Sequence, residues 1–282
     1  MRRLAAVAGY FYEGTAEALA RQVRAFVVPA EKKKALGVLS PHAGLIYSGA
    51  VAGAVYSSVL LPGTIVLIGP NHTGLGTPVS IMCEGVWETP LGSVEIDGWL
   101  ARSILSKSPL LWEDALAHAS EHSLEVQLPF IQHFRETFNI VPIQMLDTRL
   151  ETCLALGRAV GEAIRERGQA VSESEPIRNR QSTSGDVLIV ASSDMSHYER
   201  AAVAREKDFK AIRSLLDLDP EGLYRTVRSN GITMCGFGPA VAMLTACNLL
   251  GAAKAELIKY ANSGEASGDY DRVVGYAGIV VR

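Results

Sequence analysis

Three histidines each follow a short apolar run that is typical of a buried β-strand. His42 comes after the run 36–39, His72 after the run 65–68, and His197 after the run 187–190. Ligands of open α/β sheets bind in the crevice outside the carboxyl ends of the strands. Imidazole is a common ligand of zinc, copper and iron, and it also exchanges protons near neutral pH. The pattern therefore predicts that the three histidines converge on one pocket that serves as a metal site or an acid–base site.

Cys235 is the cysteine whose surroundings favour chemistry. It precedes Gly236 and stands at the predicted start of a long apolar helix. The positive end of a helix dipole lowers the pKa of a thiol, which favours a thiolate that acts as a nucleophile or a soft metal ligand. A small buried side chain is the alternative interpretation, and it suits Cys153 and Cys247 better.

Asp194 and His197 follow the third strand and form a candidate acid–base pair. A carboxylate close to an imidazole can orient the ring and raise its basicity. Ser192 or Ser193 would complete a hydrolase-like trio on paper, although the sequence holds no G-x-S-x-G elbow.

A second metal pattern occurs between His118 and His122, where the sequence matches the H-x-x-E-H signature of inverted zinc peptidases. Residues four apart on a helix face the same way, so both imidazoles could bind one metal. The alternative is an ordinary helix N-terminus that is capped by Ser120.

Strand-like and helix-like segments alternate along the whole chain and must position these side chains. Such alternation is typical of an α/β fold with a mostly parallel or mixed central sheet that is flanked by helices. We interpret residues 1–282 as a single domain. The stretch 169–186 is rich in Ser, Glu, Arg and Gln, which predicts a mobile surface loop between a helix and a strand.

The composition indicates a soluble globular protein, with 48% hydrophobic and 20% charged residues. A net charge of −3 gives no support to nucleic-acid binding. The four cysteines lack C-x-x-C spacing and are expected to be reduced thiols in the cytoplasm. The short apolar start ends at Glu13, so no signal peptide is predicted.

Residues 231–253 contain no charged side chain and approach the length of a membrane span. Several glycines, Pro239 and Asn248 dilute the apolar character of this segment. We therefore predict a buried helix in a large core and no membrane association.

The chain resembles the Memo family, called system protein B in the AmmeMemoRadiSam set of bacterial and archaeal proteins. The matching motifs occur in order through nearly the whole sequence: 8–12, Ser40-Pro41-His42-Ala43-Gly44, Gly69-Pro70-Asn71-His72, 87–92, Glu121-His122-Ser123-Leu124-Glu125 with 126–130, Ser192-Ser193-Asp194 with 195–198, Cys235-Gly236, and 274–278. The resemblance implies a fold similar to that of class III extradiol dioxygenases, which open catechol rings with non-haem Fe(II). One departure is Glu13, where the family usually carries proline.

The resemblance also implies roles for particular residues. His42, His72 and Cys235 occupy the metal-binding positions of the family, and the expected cofactor is a divalent metal, Fe(II) first, with Cu or Zn as alternatives. Asp194 and His197 are the expected catalytic groups, with His122 close by. The dioxygenases complete their iron site with a carboxylate, whereas this chain offers a thiol, and thiolate favours softer metals.

Three functions remain open from the sequence. The first is metal-dependent redox or oxygen chemistry on a small molecule. The second is a non-catalytic accessory role, in which the pocket binds a partner's side chain or a modified residue and the protein acts with the radical-SAM and AMMECR1-like components of the set. The third is a zinc peptidase that uses His118 and His122.

Overall fold

The computed structural model describes residues 1–174 and 187–282, and twelve strands in these ranges join into one mixed sheet. The strands are β1 (Arg2–Arg3), β2 (Gly37–Ser40), β3 (Thr64–Pro70), β4 (Val79–Ile81), β5 (Val86–Thr89), β6 (Gly92–Ile96), β7 (Trp112–Glu113), β8 (Asn139–Met145), β9 (Val187–Ser192), β10 (His197–Glu199), β11 (Ala255–Asn262) and β12 (Val273–Val281).

The middle of the sheet is parallel. Its strand order is β1-β5-β6-β8-β3-β9-β2-β12-β10, with β11 paired to β12, β4 paired to β8, and β7 paired to β4. Every pair from β6 to β2 along this order is parallel, whereas β12 runs antiparallel to β2. The predicted α/β fold with a mixed central sheet is therefore confirmed, and it is consistent with an extradiol-dioxygenase-like architecture.

Helices cover both faces of this sheet. They are α1 (Ala16–Phe26), α2 (Leu45–Ser57), α3 (Gly98–Ser106), α4 (Leu116–Ala119), α5 (Leu128–Phe134), α6 (Leu150–Ser174), α7 (Ala201–Leu216), α8 (Pro220–Ser229), α9 (Phe237–Leu249) and α10 (Gly264–Ser267), with a 3₁₀ turn at Glu125–Gln127.

The alternation of side chains along β3 shows how the two cores arise. Ile65 and Leu67 point to the face that α1, α2 and α5 cover, while Val66 and Ile68 point to the face covered by α3, α6, α7, α8 and α9. All four side chains are fully buried. A strand that is buried on both faces needs a continuous apolar run rather than an alternating one, which is why the runs before the histidines are apolar throughout.

Helix α9 lies within the uncharged segment that was predicted to be a buried helix. Its 13 residues correspond to a length of about 20 Å, at 1.5 Å per residue. Val241, Met243 and Leu244 are each fully buried in the core. Among the described residues, no helix combines the length and the apolar character that a membrane crossing requires.

The prediction of a loop over 169–186 is wrong for its first part, because α6 continues through Ser174. Residues in this part are good helix formers, including Gln169, Ala170 and Glu173, and they extend an existing helix without a new nucleation step. The remainder, 175–186, lies outside the described residues.

Candidate metal centre

The carboxyl ends of β2, β9 and β3 meet at one edge of the sheet, because these strands are neighbours and run parallel. His42, His72 and Asp194 each lie two residues beyond the end of one of these strands. The sheet therefore gathers three side chains that are far apart in sequence, at the place where open α/β folds bind ligands.

Three imidazoles pack around a common point at this edge. The ring centroids of His42 and His72 are 5.2 Å apart, those of His42 and His122 are 5.4 Å apart, and those of His72 and His122 are 4.8 Å apart. One nitrogen from each ring lies within 4.8 Å of the other two, a spacing that could hold a metal ion. His42 is buried, whereas the His72 side chain is 36% exposed, so the cluster opens to solvent at His72.

Glu121 lies behind two of these rings as a fully buried carboxylate. One of its oxygens accepts hydrogen bonds from His72 Nδ1 at 3.0 Å and from the Ser123 amide at 3.0 Å, and it lies 3.2 Å from His122 Nδ1. The other oxygen accepts from the His72 amide at 2.5 Å. Burial alone would raise the pKa of Glu121, but the interactions with His72 and the Ser123 amide lower it to about 2.

His42 is held from behind by a serine instead of a carboxylate. Its Nδ1 lies 2.9 Å from Ser192 Oγ, and this hydroxyl also contacts Gln127 and the Ser123 carbonyl oxygen. The Nδ1 atoms of His42 and His72 are therefore engaged on the outer side, so Nε2 is the nitrogen that these two rings have left for the centre of the cluster.

The electrostatics of the cluster favour the neutral form of His42 and His122. Burial is the main cause that lowers the pKa of His42 well below its usual range, and the nearby His122, His72 and His197 lower it further. Burial also lowers the pKa of His122, more than the negative charge of Glu121 raises it. A neutral imidazole carries the lone pair that a metal needs, so the cluster is suited to bind a divalent cation.

Cys235 lies at one side of this cluster. Its Sγ is 3.2 Å from His42 Nε2 and accepts a hydrogen bond from the Asp194 amide at 3.3 Å. The predicted lowering of its pKa by a helix N-terminus is not observed, because burial, and then the Asp194 carboxylate, raise it. Helix α9 begins only at Phe237, two residues after the cysteine. Cys235 is therefore a protonated thiol next to the ligand atom of His42.

Asp194 and His197 are not oriented by each other. Asp194 Oδ1 accepts hydrogen bonds from the amides of His42 at 2.8 Å and Ala43 at 3.3 Å, while burial raises the pKa of this carboxyl group. The His197 ring bonds through Nδ1 to the Thr233 carbonyl oxygen at 2.8 Å. Asp194 thus anchors the backbone that carries His42, and Thr233 sets the orientation of His197.

The structure does not support the premises of the zinc peptidase with His118 and His122 or of the hydrolase-like trio with Ser192 or Ser193. Helix α4 ends at Ala119, so His118 and His122 do not share a helix face. His118 is fully buried against Trp87, at 5.9 Å between ring centroids, and burial is the main cause that lowers its pKa to about 3. The hydroxyls of Ser192 and Ser193 donate to backbone carbonyl oxygens, as expected for structural groups.

The N-terminal segment forms one wall of the site. Phe11 packs against the His122 ring, with 4.6 Å between centroids. The carbonyl oxygen of Phe11 accepts a hydrogen bond from the Leu45 amide at 2.7 Å, which joins this segment to the first residue of α2. The segment therefore limits the position of the His122 side chain.

Sequence reasoning missed the outer groups of the site. Glu121 and Gln127 were noticed only as members of longer motifs, and His122 was assigned to catalysis rather than to the cluster of possible ligands. The available signal was a run of polar residues among apolar ones, from Glu121 to Gln127, in a segment that is buried almost throughout. Buried polar side chains need hydrogen-bond partners, and here Glu121 bonds to His72, Gln127 to Ser192 and Glu125 to Tyr12.

Comparison with known proteins finds relatives over nearly the whole chain. The family model described as Memo-like protein matches residues 3–280. A MEMO1 family protein of Aquifex aeolicus is 44% identical over 278 residues, which cover 98% of this chain and 97% of the relative. The MEMO1 family protein MTH_45 of Methanothermobacter thermautotrophicus is 41% identical over 290 residues, covering 98% of this chain and 99% of the relative.

Proposed function

Because the chain belongs to the Memo family, we propose that it binds a divalent metal at His42 and His72 and uses it for redox or oxygen chemistry on a small molecule. The observation that supports this proposal is the cluster of three imidazoles, each of which offers one nitrogen within 4.8 Å of the others. Three nitrogen donors at such spacing suit zinc, copper or iron. When bound, the metal would supply Lewis-acid chemistry, and iron or copper would add one-electron and oxygen chemistry.

Two residues compete for the third position in this proposal. The resemblance to the Memo family favours Cys235, whose Sγ lies 3.2 Å from His42 Nε2. The geometry favours His122, which belongs to the cluster of three. His42 and His72 are common to both sets, so they are the residues whose loss tests the proposal most directly.

The remaining residues would handle protons and access. His197 lies at the start of β10, with Nδ1 bonded to the Thr233 carbonyl oxygen, so its other nitrogen is free to exchange a proton with a bound molecule. The partly exposed His72 marks the side by which a small molecule reaches the cluster. Fe(II) is the metal we propose first, with copper or zinc as the alternatives.

Metal analysis of anaerobically purified protein tests this proposal. We expect the wild type to contain close to one metal ion per chain and the His42→Ala/His72→Ala double variant to contain almost none. His133→Ala is the matched control, because His133 lies on α5 against Phe134 and outside the cluster, and it should retain the wild-type content. Equal metal content in the wild type and the double variant would overturn the shared site.

Replacing the competing residues separately then identifies the third ligand. Cys235→Ser and His122→Ala should differ in retained metal, and the variant that loses more identifies the third donor. A further outcome is that the protein binds metal normally and yet acts only through a partner, such as the radical-SAM or AMMECR1-like components. That result would replace the enzymatic proposal with the accessory role.

A further inference from the structure

The hydroxyl of Ser192 has its hydrogen-bonding capacity fully used. Its single proton is donated to the Ser123 carbonyl oxygen at 2.6 Å. It accepts one hydrogen bond from Gln127 Nε2 at 2.8 Å and contacts His42 Nδ1 at 2.9 Å. A hydroxyl has one donor and two acceptor sites. Because the donor is already used, the contact with His42 requires a proton on Nδ1.

The orientation of the Gln127 amide supports this assignment. Its Oε1 accepts a hydrogen bond from the buried Tyr56 hydroxyl at 2.9 Å, and its Nε2 donates to the Pro41 carbonyl oxygen at 2.9 Å. A rotated amide would place its oxygen against that carbonyl oxygen. Gln127 therefore presents a donor to Ser192, and the serine cannot use its proton elsewhere.

Glu121 constrains the His72 ring in the same way. An ionised carboxylate only accepts hydrogen bonds, so His72 Nδ1, at 3.0 Å, must carry the proton that lies between them. His122 Nδ1 lies 3.2 Å from the same oxygen, but this oxygen already accepts from the His122 and Ser123 amides, so the contact does not fix the His122 tautomer. The thiol of Cys235 lies 3.2 Å from His42 Nε2, a contact that is compatible with an unprotonated Nε2 as its acceptor.

We propose that Ser192, Gln127 and Glu121 are positioning residues that fix the tautomers of His42 and His72, so that both rings present an unprotonated Nε2 to the common centre. The proposal deepens the proposed metal site and rests on it for its biological purpose. Groups that hold the outer nitrogen of a ligand histidine typically change metal affinity by about 10–100-fold when they are removed.

Nitrogen NMR of the metal-free protein tests the tautomers directly. Wild-type protein with ¹⁵N-labelled histidine, purified with chelator, should show the Nδ1–H tautomer for His42 and His72. Ser192→Ala should release the His42 ring alone to a mixture of tautomers, while His72 keeps its pattern. Ser58→Ala is the control, because this buried serine donates to the Val55 carbonyl oxygen at 2.8 Å and does not contact the cluster.

The wild-type spectrum alone can overturn the proposal. A proton on Nε2 of His42 or His72 in the metal-free wild type would refute it, even if Ser192→Ala failed to fold. Zinc titration supplies the second measurement, in which Ser192→Ala and Glu121→Gln should each weaken binding by about 10–100-fold relative to Ser58→Ala. Unchanged zinc affinity in both variants would refute the positioning role.

These measurements separate the two proposals. Correct tautomers in a wild-type protein that binds no zinc, copper or iron would contradict the proposed function and leave the tautomer assignment standing. If the wild type binds metal tightly but carries the proton on Nε2 in its metal-free form, the metal site is supported and the positioning role of these residues is refuted.

Discussion

The buried ion pair between Arg3 and Glu125 should be costly to break. The exposed fractions of the two side chains are 4% and 0%. Glu125 also accepts hydrogen bonds from the Ala6 amide at 2.8 Å, the Val7 amide at 3.1 Å and the Tyr12 hydroxyl at 2.5 Å. The substitution Glu125→Gln keeps the shape of this side chain and removes its charge.

We expect Glu125→Gln to lower the free energy of unfolding by about 3–5 kcal/mol, because it leaves the buried Arg3 guanidinium without a counter-ion. The amide also brings a donor group to a site whose neighbours are donors, which leaves one of them unpaired. The free energy of unfolding falls by about 3 kcal/mol or less for each molar of urea, so the urea concentration at the midpoint of unfolding should fall by about 1 M or more.

Urea unfolding followed by circular dichroism measures this change. The matched control is Glu17→Gln, which breaks the exposed Glu17–Arg21 pair on α1, whose side chains are 86% and 63% exposed. Exposed pairs at this spacing contribute about 0.3–0.5 kcal/mol. A loss below about 1 kcal/mol for Glu125→Gln, or a loss equal to that of the control, would refute the reasoning.

Three further predictions concern other parts of the molecule. Burial tends to raise the pKa of Asp97, but hydrogen bonds from the Leu100 amide and Arg167 outweigh burial and lower the pKa. The ionised carboxylate therefore stabilises the fold at pH values above the ordinary pKa of an aspartate, about 3.9. This stabilisation is lost as the pH falls through the lower pKa of the folded state. Asp97→Asn should therefore flatten the acid side of a stability–pH profile, and an unchanged slope would contradict this. Gly53→Ala should destabilise the protein by more than about 1 kcal/mol in thermal unfolding, because the added Cβ would lie 2.2 Å from the Phe26 carbonyl oxygen. Alanine is otherwise the better helix former, so a stabilised variant would contradict this close approach. His118→Ala should retain its metal, and loss of that metal in a folded variant would revive the zinc peptidase.

The fold and part of the site followed from simple sequence signals. Apolar runs that end in a turn predicted the strands before His42 and His72, because fully buried parallel strands need apolar side chains on both faces. The convergence of these ends is a property of the fold class. Strand neighbours β2, β9 and β3 are not consecutive in sequence, so their order could not be read from the sequence alone.

The errors have physical causes of a different kind. The sequence pattern over 124–138 predicts one helix, whereas the structure has a 3₁₀ turn at Glu125–Gln127 followed by α5, which ends at Phe134. Pro129 occupies the first turn of α5, where proline is tolerated and marks a helix start. The shift in the pKa of Cys235 was assigned the wrong direction because burial, which opposes the helix dipole, depends on tertiary packing.

The segment 121–127 connects the stability of the protein to the geometry of its site. Glu121 holds two histidines, Gln127 directs Ser192 toward a third, and Glu125 anchors the N-terminal segment whose Phe11 packs on His122. Each of these buried side chains needs its partners, so none can shift without leaving an unpaired polar group. Arg3 joins the two ends of this arrangement, because its guanidinium pairs with Glu125 and also donates to the Glu121 carbonyl oxygen at 2.5 Å. A change at Glu125 should therefore disturb the histidine cluster as well as the fold, although Glu125 touches none of the three imidazoles through its hydrogen bonds.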